Sequence, residues 1–156
     1  MLQKIAASRR RLLVTMMIML PVFSGRKAMA AVAEFPAVTQ PANPGDQAFI
    51  RRAFEMRQQA LEIGDQAYGA VVVRDGVIVG QSPSHVVVHN DPTAHAEMEA
   101  IRDAARRLGS RDLSKCTLYS SSPACPMCEA AAYWADIERQ VYGEDARDGG
   151  RPRLCG

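Results

Sequence analysis

The sequence predicts a layered α/β fold, and two observations carry the prediction. Segments with helical spacing of apolar residues alternate with short β-rich runs, in the order α-β-β-α-β-α-β. The composition of 47% hydrophobic and 23% charged residues is typical of a soluble globular protein. The 156 residues suffice for one domain of this class.

The first helix is predicted from Asp46, which can cap it, to about Ile63, with Gly64 ending it. Its apolar residues recur at roughly helical spacing: Phe49, Ile50, Ala53, Met56, Ala60 and Leu61. Two β-rich runs over 68–73 and 77–79 follow. They flank a dipeptide typical of hairpin turns, Asp75-Gly76.

Two more helices and two more strands complete the pattern, over 94–108, 116–120, 126–135 and 139–142. Thr93 is expected to cap the second helix and Gly109 to close it. Pro126 suits the first turn of the third helix, because proline needs no hydrogen-bond partner there.

The first thirty residues differ from the rest and are predicted to be a signal peptide. They contain six basic and no acidic residues, an apolar run over 12–23, and Ala28-Met29-Ala30 as a cleavage motif. Arg9-Arg10-Arg11 resembles a twin-arginine export signal. Export to a bacterial periplasm is therefore expected, with no stable membrane insertion after cleavage. An uncleaved membrane tether is the alternative.

The remainder divides into a Pro- and Ala-rich linker over 31–45 and a domain over 46–156. Residues 31–156 carry all seventeen acidic residues but only thirteen of the nineteen basic ones, a formal charge of −4. Because nucleic-acid binding favours clustered basic residues, a nucleic-acid partner is not expected.

Two short motifs carry the chemistry, His95-Ala96-Glu97 and Cys125-Pro126-Met127-Cys128. One histidine and two cysteines are ligands that zinc binds tetrahedrally, and three protein ligands leave the fourth position for water. Glu97 is an acid beside that position that is not needed as a ligand. A Cys-x-x-Cys alone is also compatible with a redox pair or a disulfide.

The run Asn90–Glu97, taken with Tyr119 and Cys125–Cys128, resembles the cytidine deaminase-like superfamily of zinc hydrolases. It is most similar to the branch of bacterial guanine deaminases and tRNA adenosine deaminases, over residues 46–143. The resemblance implies a three-layer α/β/α sandwich with a mixed central sheet, working as a homodimer. The C-terminal part is expected to be shortened, with a fifth strand and the usual final helix missing or very short.

The resemblance also implies the site. His95, Cys125 and Cys128 would bind one zinc ion per chain, and Glu97 would shuttle the proton. The implied reaction is hydrolytic deamination of a purine or pyrimidine base or nucleoside of guanine, adenine or cytosine type. Zinc-bound water would be the nucleophile and ammonia the product.

Expected substrate contacts are Tyr68, Ser84, Ala94 and Trp134. Ser84 stands where relatives commonly have an asparagine that contacts the base, and a hydroxyl cannot make the two-sided pairing of an amide. Trp134 could instead fill the core behind the site. Two alternative functions stay open: a tRNA adenosine deaminase, and a non-catalytic zinc or redox module using Cys-x-x-Cys.

Overall fold

The computed structural model describes residues 37–154, in which three helices and five strands form one α/β unit. In chain order they are α1 (Asp46–Glu62), β1 (Gly69–Arg74), β2 (Val77–Pro83), α2 (Ala96–Leu108), β3 (Cys116–Ser120), α3 (Pro126–Trp134), β4 (Arg139–Tyr142) and β5 (Arg147–Gly150). The predicted signal peptide, residues 31–36 of the predicted linker, and Cys155 lie outside the described residues. None of the described helices combines the length and hydropathy that a membrane span requires.

The sheet is mixed, with strand order β2-β1-β3-β4-β5. The pair β3 and β4 is parallel, and the other three pairs are antiparallel. The predicted hairpin turn is present between β1 and β2, with φ of 51° at Asp75 and 77° at Gly76. These positive values suit the tight turn that an Asp-Gly pair favours.

Helices cover both faces of the sheet. Val71 and Val73 of β1 face one apolar cluster, which contains Phe49, Ile50 and Met56 of α1. Ala70 and Val72 face the opposite cluster, which includes residues of α2 and α3. This period of two along β1 is that of a strand buried on both faces. The predicted three-layer α/β/α sandwich with a mixed sheet is confirmed.

Two strands differ in extent from the prediction. β2 continues to Pro83 instead of ending at Val79, because its second half pairs with β1 as far as Gly69 opposite Pro83. Strand pairing overrides the low β-propensity of Gly80 and Pro83. The fifth strand, expected to be missing or very short, is present as four residues paired with β4.

Neither predicted N-cap residue caps its helix. Gly45 is the N-cap of α1, and the Asp46 carboxylate instead accepts hydrogen bonds from the Tyr119 hydroxyl at 2.7 Å and from Arg139. These contacts connect the start of α1 to β3 and β4. Thr93 precedes the N-cap of α2 by two residues, and its hydroxyl donates to Asp91 at 2.8 Å.

Two glycines allow the helices to lie directly on the strands. A Cβ at Gly80 would stand 2.5 Å from the Ala104 nitrogen and 2.6 Å from the Ala100 oxygen of α2. A Cβ at Gly69 would stand 2.2 Å from the Ala53 oxygen of α1. Since real Cβ atoms do not approach backbone this closely, a side chain at Gly80 would displace α2, the helix whose N-terminal end carries the site.

Candidate metal centre

His95, Cys125 and Cys128 meet at the N-terminal ends of two helices. His95 is the N-cap residue of α2 and Cys125 that of α3, and Cys128 lies in the first turn of α3. Pro126 occupies the first turn as predicted. The segment before His95 is ordered by Asp91, whose side chain accepts from the backbone N–H of Thr93 at 2.8 Å.

The three ligand atoms have the spacing of a tetrahedral zinc site. The two sulfurs are 3.6 Å apart, and each lies 3.7 Å from His95 Nδ1. Ideal zinc bond lengths in a tetrahedron place two sulfurs about 3.8 Å apart and sulfur and nitrogen about 3.6 Å apart. A disulfide needs about 2.05 Å, so the arrangement is that of a ligand set rather than of a disulfide.

Within residues 37–154, the group that could hold a metal ion contains these three side chains and no fourth histidine, cysteine or carboxylate. Three ligands are typical of a catalytic zinc site, because a structural zinc is usually enclosed by four.

Glu97 lies beside the three ligands. Its carboxylate Oε2 is 3.8 Å from Cys128 Sγ, and the residue is only 5% exposed. Burial raises the pKa of this carboxyl group above its usual range. Burial, with the nearby Glu97 charge, also raises the pKa of the Cys128 thiol. A doubly charged cation held by the three side chains would offset both effects.

A hollow of about 370 Å³ opens onto Glu97 and onto two of the three ligand residues, His95 and Cys125. It is lined by Gln66, Tyr68, His95, Glu97, Ser122, Pro123 and Cys125. This volume is at the lower end of the range for small-molecule sites, about 300–1,000 Å³. A larger hollow of about 460 Å³ lies against α1, but no histidine or cysteine lines it. The smaller hollow is therefore the candidate site.

The four expected substrate contacts are placed very differently. Tyr68 lines the hollow and is 45% exposed. Ser84 and Ala94 are fully buried and do not line it. Trp134 is 72% exposed at the end of α3, where its ring meets Tyr133 edge-on, and it neither lines the hollow nor fills the core.

Sequence reasoning missed three residues that line the hollow, Gln66, Ser122 and Pro123. Ser122 and Pro123 directly precede the cysteine motif, so proximity along the chain was an available signal. Gln66 belongs to no motif. The remaining histidines, His85 and His89, stack on each other with centroids 4.6 Å apart and take no part in the ligand group.

Comparison with known proteins identifies the family. Residues 44–144 match the model of the cytidine and deoxycytidylate deaminase zinc-binding region. The match contains every helix of the structure, four of its five strands and the three ligands. The chain therefore belongs to the cytidine and deoxycytidylate deaminase family, and the family confirms the prediction of a zinc cofactor.

The relatives include deaminases with different substrates. The chain is 41% identical to guanine deaminase of Bacillus subtilis over 101 residues, 64% of this chain and 65% of the relative. It is 36% identical to the tRNA-specific adenosine deaminase of Aquifex aeolicus over 107 residues, 68% of this chain and 71% of the relative. The match thus spans slightly less than two thirds of the guanine deaminase.

Solved structures agree with the fold. The crystal structure of guanine deaminase from Bacillus subtilis superposes with a TM-score of 0.62 at 37% identity, over 69% of this chain and 72% of that one.

Proposed function

We propose that this protein is a zinc-dependent aminohydrolase that releases ammonia from a purine or pyrimidine base or nucleoside. One observation carries the proposal. Three zinc-ligand atoms have tetrahedral spacing, and two of their residues, His95 and Cys125, line the same hollow as Glu97, a buried carboxylate that is not needed as a ligand. Membership of the deaminase family supports it.

The side chains have two different roles in the proposed reaction, metal binding and proton transfer. His95, Cys125 and Cys128 would hold the metal, which would act as a Lewis acid that makes water a better nucleophile. Glu97 takes a proton at its carboxylate and returns it to the substrate, as a general base and then a general acid. Its burial keeps bulk water away from that proton transfer.

A free base or nucleoside fits the size of the hollow. The names of the relatives indicate which class of base the substrate contains. They include a guanine deaminase, a tRNA-specific adenosine deaminase and a probable cytosine deaminase of Schizosaccharomyces pombe. The proposed substrate is therefore of guanine, adenine or cytosine type.

A tRNA adenosine deaminase is the second candidate, because tRNA-specific relatives are similar to this chain. Charge favours the first candidate. Residues 31–156 carry a formal charge of −4 and one lysine, Lys115, whereas binding a phosphate backbone favours clustered basic residues.

A non-catalytic zinc or redox module is the remaining alternative. A structural zinc would need a fourth protein ligand, and a redox pair would need Cys125 and Cys128 to form a disulfide. The three-residue ligand group and the 3.6 Å sulfur separation favour the hydrolase over both.

The test is ammonia release by the zinc-loaded protein from guanine, adenine, cytosine, their nucleosides and a tRNA anticodon stem-loop. Glu97→Gln should keep one zinc per chain and lose at least about 100-fold in turnover, the lower range for a positioned acid–base group. Glu138→Gln, which changes an exposed carboxylate outside the hollow, is the matched control. Wild-type turnover by Glu97→Gln would refute the assigned role.

We further propose that the protein is exported to the periplasm by the twin-arginine route. The support is the basic start, apolar run and Ala28-Met29-Ala30 motif of the first thirty residues. This route moves folded proteins, so zinc could protect Cys125 and Cys128 from oxidation during export. Replacing Arg9 and Arg10 by lysine should retain the protein in the cytoplasm. Cytoplasmic wild-type protein with residues 1–30 intact would contradict the proposal.

A homodimer is proposed on the resemblance and on the exposed aromatic pair Tyr133 and Trp134. Large exposed aromatic side chains are enriched at protein interfaces.

A further inference from the structure

One wall of the hollow is formed by Gln66 and Tyr68, which lie in the segment before β1. This segment runs beside a second one that is distant in the sequence. The segment before β1 and the segment after β2 meet there, because the Ser84 N–H donates to the Tyr68 oxygen at 3.0 Å. The resemblance described in the sequence analysis predicts that Ser84 contacts the substrate base. It is fully buried, so in this chain that position presents no polar group to the hollow.

The neighbouring segment presents an amide instead. Gln66 is exposed, lines the hollow with His95 and Glu97, and is the one lining residue with a side-chain amide. None of the described residues hydrogen-bonds to its Oε1 or Nε2, whereas its backbone N–H and its backbone oxygen are both hydrogen-bonded. Its N–H donates to Asp65 at 2.7 Å and its oxygen accepts from the Tyr68 N–H at 2.7 Å.

Asp65 fixes both segments at once. Besides the N–H of Gln66, its carboxylate accepts the N–H groups of Val87 at 2.8 Å and Val88 at 2.9 Å. Asp65 is 7% exposed. A charged group with three backbone donors holds the backbone of Gln66 and the loop after Ser84 in one arrangement.

We propose that Gln66 is the specificity-determining residue of this site, pairing through both its amide N–H and its amide oxygen with one edge of the substrate ring. This inference rests on the proposed function. Asp65 acts through Gln66 and is a positioning residue.

The chemistry of an amide defines the ring edge that it recognises. A glutamine amide donates and accepts on neighbouring atoms, so its best partner presents an acceptor beside an N–H donor. The exocyclic amine is the group that reacts and must face Glu97, so Gln66 pairs elsewhere on the ring. Free adenine and free cytosine offer such a pair away from the amine. Their nucleosides lose it, because the sugar replaces the N–H hydrogen.

Other lining groups cannot supply this pairing. The Ser122 backbone oxygen already accepts from the Ser120 hydroxyl at 2.6 Å, and the Ser122 hydroxyl offers one oxygen rather than two neighbouring polar atoms. Pro123 has no donor, and Tyr68 offers a single hydroxyl. Glu97 is committed to proton transfer in the proposed reaction.

The test measures binding, so that it does not depend on turnover. Zinc-loaded full-length protein carrying Glu97→Gln is titrated calorimetrically with adenine, cytosine, guanine and their nucleosides. Adding Gln66→Ala should weaken binding of the preferred free base by about 5- to 150-fold, the range for a two-bond amide–base pair. Gln59→Ala, which removes an exposed amide of α1 outside the hollow, should leave affinity unchanged.

Two comparisons distinguish recognition from general damage. Gln66→Ala should weaken binding of adenine and cytosine far more than that of adenosine and cytidine. Asp65→Asn should reproduce this selective loss in smaller measure, with zinc content unchanged, whereas a merely structural defect would weaken all ligands alike.

Equal affinities with and without Gln66→Ala, equal losses for bases and nucleosides, or no binding of any ligand in the set would each overturn the inference. Failure of the proposed function gives a different pattern: wild-type protein that binds a base but releases no ammonia. In that case a selective loss with Gln66→Ala would still support recognition by Gln66.

Discussion

The contact between Asp65 and the backbone after β2 should be measurable as a pH-dependent part of the stability. Burial opposes ionisation of this carboxyl, but the N–H groups of Val88, Gln66 and Val87 outweigh it and lower its pKa to about 2. The Ser84 hydroxyl makes no hydrogen bond of standard geometry, yet lies close enough to contribute to this lowering. Asp65→Asn keeps the shape and removes the charge.

The size of the effect follows from the pKa. The difference between about 2 in the folded protein and the ordinary 3.8 corresponds to about 2.4 kcal/mol in the free energy of unfolding. Because an asparagine oxygen still accepts from part of these N–H groups, the expected loss for Asp65→Asn is about 1 kcal/mol. Because the folded pKa is depressed, the stabilisation is complete above the unfolded pKa. It declines as pH falls through the folded pKa, and about half is lost by pH 3.

The assay is urea unfolding of zinc-loaded wild-type and Asp65→Asn protein at pH 6 and pH 3. Both proteins lose zinc over the same acid range, so the difference between them isolates the carboxyl group. Hydrogen exchange at the Val87 and Val88 amides should quicken in the variant, since their acceptor is weakened. Asp145→Asn, at an exposed carboxylate, is the control and should change stability by less than about 0.5 kcal/mol.

Two results would refute the reasoning. One is a stability difference at pH 6 no larger than that of the Asp145 control. The other is a difference that grows between pH 6 and pH 3, because a carboxylate with a depressed pKa can only lose its contribution on acidification.

Three further predictions concern zinc, packing and assembly. Cys128→Ser should weaken zinc binding by more than about 100-fold, which exceeds the usual effect of changing a residue that only hydrogen-bonds to a ligand. Cys116→Ala, at a buried thiol outside the ligand group, should keep one zinc per chain by metal analysis. Gly80→Ala should lower the free energy of unfolding by about 1–3 kcal/mol in urea, since its Cβ meets α2 backbone at 2.5 Å. Gln59→Ala, at an exposed position of α1, should change it by less than about 0.5 kcal/mol, and equal losses would contradict the packing argument. Trp134→Ser should change the stability of the single chain by less than about 0.5 kcal/mol and shift sedimentation from dimer towards monomer; a loss of several kcal/mol would instead mark a core residue.

The order of secondary structure was predictable because each element has a local signature. Phe49, Ile50 and Met56 recur on one face of α1, and all three pack against the sheet as their spacing predicts. The extent of β2 was not predictable in this way. Its second half pairs with β1 although Gly80 and Pro83 disfavour strands, and that pairing depends on a register no local pattern reveals.

The two predicted N-cap residues, Asp46 and Thr93, were wrong for a related reason. Aspartate and threonine before an apolar run satisfy the local rule for an N-cap, but their side chains can bond elsewhere. The Asp46 carboxylate accepts hydrogen bonds from the Tyr119 hydroxyl and from Arg139, and the Thr93 hydroxyl donates one to Asp91. The partners of Asp46 come from β3 and β4, and the sequence around Asp46 does not reveal them. The partner of Thr93 is only two residues away, so in that case two local contacts compete.

The metal ligands and the substrate contacts differ in how much of them a sequence can reveal. A zinc ion restricts its ligands to a few residue types, so His95, Cys125 and Cys128 stand out by type and spacing alone. A ring edge needs only a donor and an acceptor, which any segment near the hollow can supply. The change from an amide to the hydroxyl of Ser84 is visible in the sequence. The residue that we propose in its place is not visible there, because Gln66 comes near Ser84 only through the antiparallel pairing of β1 and β2. The proposed replacement therefore lies across the strand pair from Ser84 rather than nearby along the chain.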